Sequence, residues 1–430
     1  MRVAFKTFGC RLNRADTDRF IAGFVAAGWQ IVAENSEADV VIIHGCAITH
    51  AAERDGLRAA HNAKQRAIAK NHLTEPLVVL VGCIVETGTA PLPQNDQGAD
   101  LVVTRKDLDR LPSIVATALA AKRPLGMIKP STPTIPALKR KRALLKVQDG
   151  CNFGCAYCIV PRTRGAPVSR PFQECLDEAK SFLDSGFNEL VLTGCNLGCY
   201  QYGRYRLPEF ALALLDLGYH ARIRFSSIEP LTVEKELADL MAENKRLCHH
   251  LHLPLQSGDA DILKAMGRRY TPEEYEETLS HIIARVPQIG LGCDVIVGLP
   301  GENATAFENT RSLLMKWPFS NIHVFTYSER PGTRAVNMPG QIPVAERRTR
   351  TGELLKMLPP KKASFAASFI GKPVEVLIES FNATQNSGKG WTDTYLPAVI
   401  YGVNRRNIGQ LITFTPTATK EGTLHGNIQV

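Results

Sequence analysis

Asp149-Gly150-Cys151-Asn152-Phe153-Gly154-Cys155-Ala156-Tyr157-Cys158 sets three cysteines at the spacing C-x3-C-x2-C. The stretch follows a β-rich apolar run at 144–147, so the thiols sit on a loop leaving the carboxyl end of a strand. An iron–sulfur cube normally takes four thiolate ligands. Three thiolates leave one iron with open positions, which a metal site needs in order to bind a substrate or cofactor. Gly150 and Gly154 permit the tight loop that wraps such a group. Structural zinc is the competing reading, but it wants a fourth Cys or His at close spacing, and none follows Cys158 closely.

Downstream of this loop, strand-like and helix-like stretches alternate. Strands are expected at 144–147, 189–193, 222–226, 250–255, 292–298 and 321–327, with helices between them such as 172–185 and 272–285. Six β/α units are too few for a closed eight-stranded barrel, so the expected fold is an incomplete parallel barrel over 143–342. Functional residues of such barrels gather at the carboxyl ends of the strands.

Upstream, residues 1–121 form a second alternating series. Strands are expected at 2–8, 39–44, 77–81 and 100–103, and helices at 16–27, 51–69 and 108–121. This order implies a parallel sheet with helices on its faces. Cys10, Cys46 and Cys83 each follow a glycine, and each ends one of these strands. Open α/β sheets bind ligands in the crevice outside those strand ends. Three thiolates converging there suit a soft metal centre. A lone buried cysteine is ordinarily a packing residue, but the recurrence of Gly-Cys at three strand ends argues against that reading here.

Residues 122–142 read as a linker, with Pro124, Pro130, Pro133 and Pro136 and a basic run at 139–142. Residues 343–370 form a basic helical connector, with the helix expected at 345–368. Residues 371–430 form a small β-barrel, with strands at 374–378, 395–400, 410–415 and 424–429. The whole is an α/β chain with a small all-β end.

Hydrophobic residues make up 44% and charged residues 22%, ordinary for a core-forming protein. No apolar run is long enough to cross a bilayer, and no signal-peptide core follows the first residues, so the cytoplasm is expected. In that reducing compartment structural disulfides are not expected among the eleven cysteines, and their uneven placement favours a metal or catalytic reading over a disulfide framework. The formal charge of +9 favours an acidic partner such as nucleic acid. Basic stretches at 139–142, 162–170 and 347–362 are candidate phosphate contacts, or equally solvated faces. Trp391, Tyr395 and Tyr401 are candidate stacking residues, or the core of the small barrel.

Taken together, these motifs make the chain resemble the radical S-adenosylmethionine superfamily, and within it the methylthiotransferase branch. Lys6-Thr7-Phe8-Gly9-Cys10-Arg11-Leu12-Asn13 resembles the opening motif of that branch. Arg224-Phe225-Ser226-Ser227-Ile228-Glu229-Pro230, His252-Leu253-Pro254-Leu255-Gln256-Ser257-Gly258 and Met266-Gly267-Arg268-Arg269-Tyr270 resemble successive barrel units. Asp294-Val295-Ile296-Val297-Gly298-Leu299-Pro300-Gly301-Glu302 and Phe325-Thr326-Tyr327-Ser328-Glu329-Arg330-Pro331-Gly332-Thr333 resemble its later strands, and the terminal barrel resembles a TRAM domain, an RNA-binding module.

The resemblance implies two [4Fe-4S] clusters and S-adenosylmethionine as cofactors. Cys151, Cys155 and Cys158 would hold the cluster whose open iron binds S-adenosylmethionine and yields a 5′-deoxyadenosyl radical. Cys10, Cys46 and Cys83 would hold the sulfur-handling cluster. Tyr157 would contact the adenine. Ser227, Glu229 and Gln256 lie at strand ends where the ribose is held, and Gly194 lies where other members hold the methionine amino group. Cys195 and Cys199, beside Gly194, depart from the family pattern and are read as small packing residues, while Cys175, Cys248 and Cys293 are read as inert.

Three methylthiotransferase branches compete: one modifies N6-threonylcarbamoyladenosine at position 37 of tRNA, one isopentenyladenosine in tRNA, and one an aspartate of a ribosomal protein. Gly9-Cys10-Arg11-Leu12-Asn13, Ser226-Ser227-Ile228-Glu229-Pro230 and Gly390-Trp391-Thr392-Asp393-Thr394-Tyr395 look most like the first, MtaB-like branch. The expected partners are tRNA and an electron-donor protein, with no membrane and a monomeric chain. A rival of another class is a non-catalytic RNA-binding iron–sulfur protein.

Overall fold

The computed structural model describes residues 1–69, 75–87, 98–122 and 140–428. Most of the proline-rich linker therefore lies outside the described residues. The first domain is a parallel sheet of β1 (Arg2–Thr7), β2 (Gln30–Val32), β3 (Val40–Gly45), β4 (Leu77–Gly82) and β5 (Leu101–Val102), in the order β2-β1-β3-β4-β5. Its strands are β-branched runs buried on both faces, with Val40, Ile42, Val78, Val79 and Val81 almost wholly enclosed. The chain passes from β1 to β2 on one side and then returns to β3 on the other. The order thus reverses between β1 and β3, where the sheet leaves a crevice at its carboxyl edge. Cys10 and Cys46 follow those two strands.

The second unit contains β6 (Ala143–Lys146), β7 (Glu189–Thr193), β8 (Arg222–Phe225), β9 (His250–His252), β10 (Gly290–Val297) and β11 (Phe319–Thr326). They pair in parallel as β8-β7-β6 and β9-β10-β11, and the bridges Ile223–Leu247 and Ser227–His252 join the two sets. The six strands therefore follow one another in chain order around an incomplete barrel. The expected strand 250–255 stops at His252: Pro254 lacks a ladder donor, and Gln256 adopts a left-handed conformation (φ +65°). The helix Pro272–Arg285 begins where expected, with Thr271 and Glu274 forming a reciprocal capping box.

The helix Val344–Ala367 runs along β11 and leads into β12 (Val374–Asn382), β13 (Ser387–Thr392), β14 (Pro397–Tyr401), β15 (Leu411–Phe414), β16 (Ala418–Lys420) and β17 (Thr423–Asn427). Their order is β15-β12-β13-β14-β17-β16, and a bridge between Phe414 and Ile428 closes the curl. Strand β13, like the three-residue β16, has no β-rich signal. Gly388 and Gly390 depress its propensity, yet a Cβ on Gly390 would overlap the Leu377 carbonyl, so close strand approach requires glycine there.

The turn between β13 and β14 docks on the amino ends of the barrel strands. Arg222 donates to the Trp391 carbonyl (2.7 Å), and Arg224 donates to those of Thr392 and Asp393 (2.8 Å each). Both guanidiniums are held by Glu189, and all three side chains are buried. Trp391 and Tyr395 stack on each other within this joint, at 4.7 Å between centroids, whereas Tyr401 is exposed. Two of the three candidate RNA-stacking aromatics are thus engaged in holding the C-terminal sheet. The basic runs are also partly structural: Arg164, Arg347 and Arg350 are buried and paired. Among the described residues, no helix is long and apolar enough to cross a membrane.

Against the push of burial, Arg222 and Arg224 hold the Glu189 carboxyl down from 4.5 to about 2. Its contribution to stability is complete above the ordinary value and fades as pH falls towards the lower one. Replacing Glu189 with Ala leaves two buried cations without their partner and is expected to cost about 3–5 kcal/mol, measured by denaturant unfolding at neutral pH.

Candidate metal centres and the cleft between them

The first trio of thiols is gathered by one amide. Asn13, on the first turn of the helix Arg11–Ala26, is wholly buried and donates to the carbonyls of Phe8 (3.0 Å) and Gly45 (3.1 Å). It thereby ties together the loops after β1 and β3. Its Oδ1 lies 3.9 Å from the sulfurs of both Cys10 and Cys83. Gly9 (φ +94°) sits over Cys46, and a Cβ there would come within 2.8 Å of its sulfur. Cys10 is exposed, while Cys46 and Cys83 are buried. Burial pushes the Cys46 thiol up to about 11 and raises that of Cys83, while the Ile48 amide and the Arg164 guanidinium pull the other way.

The second trio lies on the loop after the first barrel strand. Cys151 donates its amide to the Gly165 carbonyl (3.1 Å), and Gly150 (φ +71°) passes so close to Ala166 that any side chain would collide. Ala156 is pinned to the Met266 carbonyl (2.7 Å). The amides of Phe153 and Val160 point at the sulfurs of Cys151 and Cys158; burial nevertheless raises both thiols, Cys158 to about 12. Arg268 lies beside this loop. It is nearly buried, donates to the Cys155 sulfur (3.5 Å), and pairs with Glu229 (Nη1 to Oε1, 3.1 Å). Tyr270 braces the same guanidinium at 3.0 Å.

Each trio therefore faces one buried arginine, Arg164 or Arg268. Both donor sets fit an iron–sulfur cube: three thiolates, backbone amides directed at sulfur, and a nearby cation to offset their charge. Arg164 also joins the domains. It donates to Asn13 Oδ1 (2.6 Å) and Asp16 Oδ2 (3.2 Å) in the first domain and to Asp149 Oδ1 (2.9 Å) in the barrel. Lys146 spans the same gap, pairing with Asp149 (2.6 Å) and Asp16. Against burial, Arg164 and Lys146 hold Asp149 well below the usual carboxylate range.

Gly194 lies against Gln148, where a Cβ would meet Oε1 at 2.9 Å. Gln148 in turn donates to the carbonyls of Asp149 and Gly150, so this segment buttresses the cysteine loop. Cys195 lies 3.6 Å from Asp149 Oδ1, and Cys199 accepts from Asn196 Nδ2 (3.0 Å). Cys175 and Cys293 are buried within a helix and a strand, while Cys248 is buried in the turn before β9.

A cleft of about 180 Å³ opens between the domains, with Ile48 and Thr49 on one side and Tyr157, Cys158, Gln256, Asp294 and Ile296 among its other walls. The buried Gln256 Oε1 has no hydrogen-bond partner. Asp294 Oδ1 accepts from His252 Nε2 (3.0 Å) and His323 Nδ1 (3.1 Å). Ser227 sits half-buried at the bridge to His252, and Glu229 is engaged by Arg268 rather than free. Asn13, Arg268 and Asp294 carry no role in the sequence reading although each lies within one of its motifs, and Arg164 enters it only within a basic run. Which side chains face a thiol depends on distant segments meeting.

Residues 145–314 match the model of the Radical SAM superfamily, and residues 2–104 match an uncharacterized protein family, UPF0004. The threonylcarbamoyladenosine tRNA methylthiotransferase MtaB of Aquifex aeolicus is 32% identical over 88% of this chain and 93% of its own. The tRNA-2-methylthio-N(6)-dimethylallyladenosine synthase of Erythrobacter litoralis is 31% identical over 87% of this chain and 85% of its own. Among solved structures, the radical S-adenosylmethionine methyltransferase TsrM of Kitasatospora setae shares the fold, with a TM-score of 0.56 at 12% identity over 75% of this chain and 72% of that one.

In the metal-free chain near neutral pH, a maleimide is expected to label exposed Cys10 well before buried Cys46, Cys83 and Cys158. A mass-spectrometric time course in which Cys46 reacts as fast as Cys10 contradicts this placement.

Proposed function

The chain belongs to the radical S-adenosylmethionine tRNA methylthiotransferases, and from that premise we propose that it places a methylthio group on C2 of N6-threonylcarbamoyladenosine in tRNA, using two [4Fe-4S] clusters. The observation carrying this reading is the pair of thiol trios, each beside a buried arginine, on the two domains joined by Arg164. Cys151, Cys155 and Cys158 would hold one cluster, and Cys10, Cys46 and Cys83 the other. When bound, such clusters supply one-electron cleavage of S-adenosylmethionine and a site for the transferred sulfur.

The chain's own residues then bind and orient. Arg268, buried beside Cys155, and the half-buried Glu229 paired with it would meet the carboxylate and ammonium of a methionine moiety, exchanging part of their mutual contact for the ligand's charges. Tyr157 and Ile296 supply an apolar wall for the adenine. Gln256, whose Oε1 is unpartnered, and Asp294 would take the ribose hydroxyls, with Ser227 at the neighbouring strand end. Gly194 and Gln148 keep the cysteine loop in register. Ile48 and Thr49 cap the cleft from the first domain and limit access of water to a reactive intermediate. The curled C-terminal sheet acts as the RNA-binding module, and a cytoplasmic electron-donor protein supplies the electron. Relatives named for dimethylallyladenosine favour a second reading, in which the substrate carries that hydrocarbon group.

Anaerobic reconstitution is expected to give about eight irons per chain. Replacing Cys151, Cys155 and Cys158 together by Ala should roughly halve that count and abolish 5′-deoxyadenosine formation. Nucleoside analysis of tRNA from a strain lacking the gene should show loss of the 2-methylthio derivative of threonylcarbamoyladenosine. Loss of the dimethylallyl derivative instead overturns the substrate assignment.

A further inference from the structure

Four guanidiniums converge where the first domain, the base of the barrel and the C-terminal sheet meet. Glu189 holds Arg222 and Arg224, and Glu379 holds Arg142 (Nε to Oε1, 2.8 Å). Arg11 differs. Among the described residues no carboxylate pairs with it, and its one hydrogen bond runs from Nη2 to the Tyr395 hydroxyl (2.7 Å). The same ring lies 5.4 Å from the Arg11 guanidinium, 5.7 Å from that of Arg142 and 4.9 Å from that of Arg224. His250 packs on it at 4.8 Å and stays neutral, since burial and then Arg224 and Arg11 push it well below its usual range. Among the described residues, the hydroxyl of Tyr395 is thus what Arg11 has in place of a carboxylate.

The position of this cation is imposed at both ends. Arg11 directly follows Cys10, the N-cap of the first helix and a candidate cluster ligand. Tyr395 is held in a left-handed conformation (φ +64°), its amide bonded to the Thr392 carbonyl at 3.2 Å. Arg11 is only partly buried, and most of its N–H fork remains open. A guanidinium fork matches a carboxylate bidentately.

We propose that Arg11 selects the substrate by pairing with the carboxylate of its N6 substituent. The proposal rests on the function given above, in which sulfur is delivered from the centre at Cys10 to C2 of an N6-modified adenine. C2 and C6 flank the same ring nitrogen, so a base presenting C2 to Cys10 brings its N6 substituent close to the next residue. A threonylcarbamoyl group ends in a carboxylate, whereas a dimethylallyl group has nothing for a guanidinium to bind.

The test uses the enzyme with both clusters and two anticodon stem-loop RNAs. One carries N6-threonylcarbamoyladenosine, and the other carries the same group with its carboxylate converted to the neutral primary amide. Wild-type enzyme is expected to favour the acid by about 10- to 100-fold in kcat/KM. Arg11→Gln should lose most of that preference, Arg11→Lys should recover part of it, and Tyr395→Phe should reduce it by freeing Arg11. The ratio is read within each variant, so partial loss of folded enzyme cancels. An acid-to-amide ratio unchanged in both Arg11→Gln and Tyr395→Phe overturns the role of Arg11 alone. Wild-type enzyme that modifies neither RNA, while modifying a dimethylallyl RNA, overturns the substrate reading and this proposal with it.

Discussion

Arg164 holds the two chemical halves of the molecule against each other. Its guanidinium reaches Asn13 and Asp16 in the first domain and Asp149 in the barrel, and it faces the Cys83 thiol as well. An arginine suits this position because its planar fork serves several acceptors at fixed angles and stays charged when buried. Lys146 reinforces the contact through Asp16 and Asp149. Buried charges at such a junction contribute little net stability when paired, but they penalise any other docking angle heavily. The distance between the two thiol trios is therefore set by this charged junction together with the small apolar contact of Ala15 against Leu144 and Val191.

A second charged joint works at the opposite end of the barrel. There Glu189 neutralises Arg222 and Arg224, which bind the backbone carbonyls of the turn after β13. The carboxyl ends of the strands stay free for chemistry, while the amino ends carry the C-terminal sheet. Arg11 and Tyr395 connect the two regions, because Arg11 opens the helix that Cys10 caps and Tyr395 belongs to the docked turn. The RNA-binding module proposed for the C-terminus is thus mechanically continuous with a candidate cluster ligand.

Alternating apolar runs and helical stretches made the first sheet and the six-stranded partial barrel legible, because parallel strands buried on both faces must be apolar throughout. The elements that escaped notice were those whose stability comes from neighbours. Strand β2 has only three residues, β13 is built around glycines, and the first turn of the helix after Cys10 carries Arg11 and Asn13 rather than an apolar face. The aromatics Trp391 and Tyr395 read equally as RNA platforms or as packing, and only the docked turn distinguishes these.

By itself, the order of residues determined that this chain carries two sets of three thiols, one on a C-x3-C-x2-C loop and one dispersed over three strand ends, on α/β domains of recognisable type. Local spacing and strand periodicity suffice for that, since each depends only on near neighbours in the chain. Tertiary structure alone decided that Asn13 gathers Cys10 and Cys83, that Arg164 and Arg268 each face one trio, and that Arg11 meets a tyrosine hydroxyl and, among the described residues, no carboxylate. Those facts depend on which groups end up within a few ångströms of each other after segments from 70 to 384 residues apart have packed, and no periodicity in the chain encodes such distances.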